Sequence, residues 1–164
     1  MLRSVRFGGW LLALAVCSCG PPPLAHVEPS ADALARSLLD ALARRDEGAL
    51  RGLALDEREF RAHVWPSLPA ALPERNLPFS YVWGDLRQKS DTSLRGILAE
   101  HGGRRYDLVR VRFGGRTTEY AGFRVHRDTI LVVRQGGEDV ELRLCGSLLE
   151  KDGGWKVFSY LVDS

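Results

Sequence analysis

A chain of 164 residues with 45% hydrophobic and 27% charged side chains is long enough to bury one core and too apolar for wholesale disorder. Its formal charge of +2 rests on Arg3 and Arg6, and without residues 1–18 the remaining basic residues only match the 21 acidic ones. A nucleic-acid partner then loses its electrostatic footing.

The amino terminus has the three parts of a secretory signal. Arg3 and Arg6 form a cationic start, Phe7 to Val16 is apolar, and small Ser18 precedes Cys19. The apolar run is too short to span a bilayer, which takes about 20 residues. The tetrad Val16-Cys17-Ser18-Cys19 resembles the lipobox of bacterial lipoproteins, in which the last cysteine is acylated and becomes the first residue. Cys19 fits that role better than Cys17, because Ser18 rather than Val16 stands before it. The resemblance implies a signal peptide over 1–18 and a membrane partner reached through lipid on Cys19. It also implies an exported domain, facing the periplasm in a Gram-negative host. Gly20 rather than Asp after the cysteine implies the outer membrane there. Residues 19–29, with Pro21-Pro22-Pro23, read as a stiff tether. The plain alternatives are an ordinary signal peptide cut nearby, or a short hydrophobic start with no processing. Once Cys17 is removed and Cys19 acylated, Cys145 has no cysteine left to pair with. A lone cysteine in a strand pattern is a small buried hydrophobe, and no His or Asn is tied to it as a nucleophile would require.

The folded domain is expected over 30–164. Ser30 is placed to cap a helix running to about Arg45, with Leu34, Leu38, Leu39 and Leu42 on one face. Asp46-Glu47-Gly48 breaks it, and Ala49 to Leu53 makes a short helical turn. Asp56 and Glu59 have capping-box spacing and start a third piece through His63. Trp65-Pro66 stops that piece, and Pro69, Pro73 and Pro78 keep the next segment irregular. Phe79, Val82, Trp83, Leu86, Leu94, Ile97 and Leu98 then recur at helical steps up to Gly102-Gly103, with Asp91 placed to cap a second half after a break.

From Tyr106 to Val162 the chain reads as four strands separated by Gly114-Gly115, Gly136-Gly137 and Asp152-Gly153-Gly154. Helices followed by a curved antiparallel meander predict an α+β domain with the helices packed on the sheet. The closing text, from Gly146-Ser147-Leu148 through Lys151-Asp152-Gly153-Gly154 to Trp155-Lys156-Val157, resembles the last hairpin of nuclear-transport-factor-2-like (SnoaL-like) domains. The opening helix "ALARRDEGALRGL" is similar to the start of that family. The resemblance implies a cone-shaped fold with a cavity between sheet and helices. Its members include isomerases, dehydratases and cyclases as well as noncatalytic binding domains, so it leaves activity open. The proline-rich stretch from Trp65 to Pro78 departs from the family, which often has strands there.

Strand parity sets Val109, Val111, Phe113, Ala121, Phe123 and Val125 on the core side. Arg110, Arg112, Arg124 and His126, with Arg143 from the next strand, fall opposite. If the strands are neighbours, these five form an anion- or partner-binding face. The plainer reading is a solvated face whose arginines pair with Glu119, Glu141 and Asp107. His126 is the best single proton-transfer candidate by its intrinsic pKa, but parity turns it from the core. The histidines lack metal-ligand spacing, and the glycine pairs lack a phosphate-loop context, so neither a metal nor a cofactor is expected. Sequence therefore leads to a lipid-anchored envelope protein with a noncatalytic ligand- or partner-binding domain. The alternative is a small-molecule isomerase or hydratase using the cone cavity. A homodimer through the sheet face is a further expectation.

Overall fold

The computed structural model describes residues 21–161. The signal-like stretch, Cys17, Cys19 and Val162 lie outside the described residues. Helix α1 (Ala31–Ala43) begins where Ser30 keeps an extended backbone and its Oγ accepts from the Ala33 N–H at 3.1 Å. The four predicted leucines line its buried face, joined by Ala35 and Ala41. Asp46 does more than interrupt the helix. Its carboxylate accepts from the Ala49 N–H at 2.9 Å and opens α2 (Glu47–Leu53). Both reciprocal bonds of the Asp56–Glu59 capping box form, starting α3 (Glu57–Glu59), which continues as a π-helical turn over Phe60–Val64.

Between that turn and the next helix the prolines limit the chain to three isolated 3-10 turns: Trp65–Ser67, Pro69–Ala71 and Pro73–Arg75. Helix α4 (Phe79–His101) then runs without the break expected at Ser90-Asp91. The expected capping role of Asp91 is overturned because its carboxylate pairs with Arg51 of α2 and Arg87 of α4. Pro78 is the residue before the helix, and Gly102 closes the far end.

Among the described residues there are seven strands rather than four: β1 (Asp107–Phe113), β2 (Thr117–Tyr120), β3 (Phe123–Arg127), β4 (Thr129–Gln135), β5 (Glu138–Leu142), β6 (Ser147–Lys151) and β7 (Gly154–Ser159). Gly114-Gly115 is no hairpin turn. It bends one arm of a long hairpin whose turn lies at Ala121-Gly122, and the Gly114 N–H donates to the Asp128 carbonyl at 2.9 Å across the bend. The bend separates two antiparallel ladders, ordered β1-β4-β5 and β2-β3-β6-β7. The architecture is α+β, with helices preceding antiparallel sheets. Gly136-Gly137 and Asp152-Gly153 are hairpin turns as expected, and the second is closed by positive φ at both residues, +50° and +78°.

The β6–β7 hairpin is covered on both faces. Leu148 and Val157 enter the main core with the leucines of α1, with Leu50 and Leu53 of α2, and with Leu94 and Ile97 of α4. Adjacent Leu149 points the other way, into a second cluster with Leu55, Phe60, Val64 and Trp83, which also takes Phe123 and Val125. The β6–β7 hairpin therefore has little solvated face, whereas β1, β2 and β5 alternate exposed and half-buried residues. The parity reading needs correction at two positions. Val109, predicted to be core, is 37% exposed, because a bulge between Leu108 and Arg110 shifts the register and puts Leu108 against the core instead. Ala121 is also exposed, at the hairpin turn.

Candidate functional site

The five-residue anion face does not assemble as one sheet face. β1 pairs with β4, and β3 pairs with β2 and β6, so Arg110 and Arg112 lie in one ladder and Arg124 and His126 in the other. Arg143 falls in the connection after β5. Arg112 is paired with Glu141, as the plainer reading expected, and Arg124 lies 3.3 Å from both Glu119 and Glu150. The Arg110 and Arg143 side chains are exposed.

His126 does not share the solvated position that parity assigned to it. Its side chain is 12% exposed, with Nε2 2.9 Å from Glu150 Oε2 and Nδ1 3.0 Å from Thr117 Oγ1. Its ring stacks on Phe113 and on Trp155, each with centroids 4.7 Å apart. Both ring nitrogens have protein partners and the ring packs against two aromatic neighbours that also stack on each other at 6.2 Å, which makes this imidazole part of the packing.

A concave site does form elsewhere, between α2, α4 and the end of β7. On α4, the helical steps through Trp83, Leu86, Arg87, Ser90, Asp91 and Leu94 set these side chains along one wall. Phe158 and Tyr160 close the floor, and Arg51 with Ala54 and Leu55 forms the opposite wall of a cleft of about 290 Å³. Tyr160 is fixed from both ends: its hydroxyl donates to the Leu50 carbonyl at 2.6 Å and its N–H donates to Ser90 Oγ at 3.0 Å. Burial pushes its phenol well above the ordinary range, so it stays protonated as a donor.

The charged rim of the cleft is internally balanced. Arg51 donates to Glu47 and Asp91, and Arg87 Nε donates to Asp91 at 2.9 Å. Burial alone would raise the Asp91 carboxyl, but the hydrogen bonds from Arg87 and Arg51 outweigh it and hold the group below its usual range. A depressed folded-state pKa contributes stability above the unfolded pKa and loses it as the pH falls through the folded one. Asp91→Asn is therefore expected to lower stability at neutral pH. The gap to wild type should close as the pH drops below about 4, which urea midpoints across that range would check. A gap that stays constant with pH would contradict this role.

The buried charged pair lies outside the cleft, and sequence reasoning missed it. Lys156 is 2% exposed on β7, and its Nζ donates to both oxygens of Glu59 at 3.0 and 2.9 Å and to the Ala25 carbonyl at 2.7 Å. Glu59 also accepts from the Ala25 N–H at 2.8 Å and the Asp56 N–H at 3.0 Å. All three ammonium protons have acceptors. The available signal was a lysine inside the unbroken apolar run Trp155-Lys156-Val157-Phe158, which a strand covered on both faces can bury only beside a carboxylate.

Cys145 is buried, and that burial pushes its thiol up to about 12, the behaviour of a packed side chain and not of a nucleophile. Among the described residues, no group of three His, Cys, Asp or Glu side chains could hold a metal ion. No described helix is long and apolar enough to cross a membrane. Comparison of the chain with protein-family models, with curated proteins and with solved structures gives no match.

Proposed function

We propose that the chain is a lipid-anchored envelope protein whose domain is of the nuclear-transport-factor-2-like type. In this reading Cys19 carries the anchor, and the domain takes up the apolar part of a ligand or partner without transforming it. The cleft carries the functional half of the reading. Its lining is largely aromatic and aliphatic, from Trp83, Leu86, Leu94 and Phe158, while its carboxylate Asp91 is committed to two guanidiniums. A pocket with an apolar lining and a few fixed polar groups at its edge suits binding. A carboxylate held ionised by two arginines is poorly suited to deliver a proton near neutral pH. The order of helices before a bent antiparallel sheet, and a closing hairpin that turns on Asp152-Gly153 into Trp155-Lys156-Val157, support the family reading.

Two measurements test the proposal. Mass spectrometry of the mature amino terminus should find an acylated Cys19; a chain still beginning at Met1 would remove the anchor. For the cleft, anilinonaphthalene sulfonate should bind the purified protein saturably, and Leu86→Glu, which puts a charge on the half-buried wall, should weaken it about tenfold. Binding that ignores Leu86→Glu would place the probe elsewhere and sink the cleft reading. Isomerisation or hydration of a small molecule, abolished by the same substitution, would favour the enzyme alternative.

A further inference from the structure

The segment from Trp65 to Tyr81 has an unusual makeup for a protein surface. In 17 consecutive residues only Glu74 and Arg75 are charged. Among the described residues five large hydrophobic side chains stand exposed, and three of them belong to this segment: Leu72 at 53%, Leu77 at 41% and Tyr81 at 67%. The prolines limit residues 65–75 to isolated 3-10 turns, so Leu72 cannot turn inward on an amphipathic helix, while Tyr81 stands exposed on the first turn of α4.

Residues flanking this apolar edge pack against the first described residues of the chain. The Pro22 carbonyl is 2.7 Å from His63 Nε2, two residues before Trp65. Leu24 packs into the same cluster as Trp65, Leu68 and Phe79. The following residues are fastened to β7, where Glu28 and Trp155 exchange backbone hydrogen bonds at 3.0 and 2.8 Å. Gly154 makes room for that contact, since a Cβ there would come within 2.9 Å of Val27. The amino-terminal segment is thus docked from Pro22 onward. Only Gly20 and Pro21 separate Pro22 from Cys19, three steps with a reach of at most about 10 Å.

We propose that the Leu72–Leu77–Tyr81 edge is a membrane-contact surface that lies in the lipid interface beside the anchor. This rests on the reading of Cys19 as the acylated residue. An anchor with so short a free length holds the domain against the bilayer and turns the side where Pro22 docks toward the lipid. Leucine and tyrosine side chains suit the boundary between headgroups and acyl chains, and Arg75, between the two leucines, can extend its guanidinium to lipid phosphates.

The test uses the full mature chain in vesicles of phosphatidylethanolamine and phosphatidylglycerol, with an environment-sensitive fluorophore on Ser80→Cys and, as a control, on Glu138→Cys in the β4–β5 hairpin. Buried Cys145 does not compete for the label. With brominated lipids, the Ser80→Cys label should lose most of its emission and the Glu138→Cys label should keep it. Adding Leu72→Asp, Leu77→Asp and Tyr81→Asp should restore the emission while the protein still pellets with the vesicles through its lipid. Equal emission from the two labels on an acylated, vesicle-bound chain overturns the contact surface and leaves the anchor standing. An unmodified Cys19 overturns the anchor and the surface together. A Ser80→Cys signal that changes with protein concentration and ignores brominated lipid assigns the edge to a second copy of the chain, which also overturns the proposal.

Discussion

Lys156→Met is expected to destabilise the domain by about 3–5 kcal/mol, because it strands the Glu59 carboxylate in a buried site with only the Ala25 and Asp56 N–H groups as partners. Methionine matches the lysine stem in length, so the loss is electrostatic rather than a cavity. The double variant Lys156→Met/Glu59→Gln removes both charges and should recover a large part of that loss, since burying an ion pair already costs much of what the pair returns. Urea unfolding of the single and double variants is the measurement. If the single variant costs less than about 1 kcal/mol, the pair is not the fastening that its geometry describes. Ala25 is held by both members of the pair, so the single variant also removes the bond to its carbonyl while the bond from its N–H to Glu59 remains.

The second large effect is expected at Phe60. This side chain is 1% exposed, and its ring lies 5.2 Å from Trp83, 6.0 Å from Phe79 and 6.1 Å from Phe158. Trp83 and Phe158 both line the cleft. Phe60→Ala should cost about 3–5 kcal/mol, as a large aromatic truncation in a packed cluster does, and should loosen the cleft lining as well. Phe60→Leu keeps most of the volume and should cost much less. The expected pattern is a lowered urea midpoint together with weakened anilinonaphthalene sulfonate binding in the alanine variant, and near-normal behaviour in the leucine variant. Full binding in a destabilised Phe60→Ala protein would show that the cleft does not depend on this cluster.

Much of the fold was legible because its signals are local. The Ser30 cap, the Asp56–Glu59 capping box, the leucine spacing of α1 and the Asp152-Gly153 turn each depend on residues within a few positions of one another. The α+β order follows from a change of hydrophobic period along the chain. The reading failed where a local signal has two meanings. Gly114-Gly115 looks like a hairpin turn, yet a glycine pair can equally bend a strand, and only the pairing of Gly114 with Asp128 distinguishes the two. Asp91 has the chemistry of a helix cap, but Arg51, 40 positions earlier, places it in an ion pair across the cleft.

By itself the sequence determined the element types, the helical faces, the proline-limited apolar segment, and the resemblance of its first residues to an acylated leader. Each depends on residue type and short-range spacing, where a side chain's preference is set by its immediate neighbours. Tertiary structure alone decided which strands share a ladder, and so why Arg112 and His126 are not one site. It also decided that β7 is covered on both faces, which buries Lys156 against Glu59 and fastens Ala25 to the sheet. The reason is that pairing register and burial depend on contacts between distant segments, and a one-residue bulge such as that at Leu108–Arg110 reverses the faces that alternation predicts.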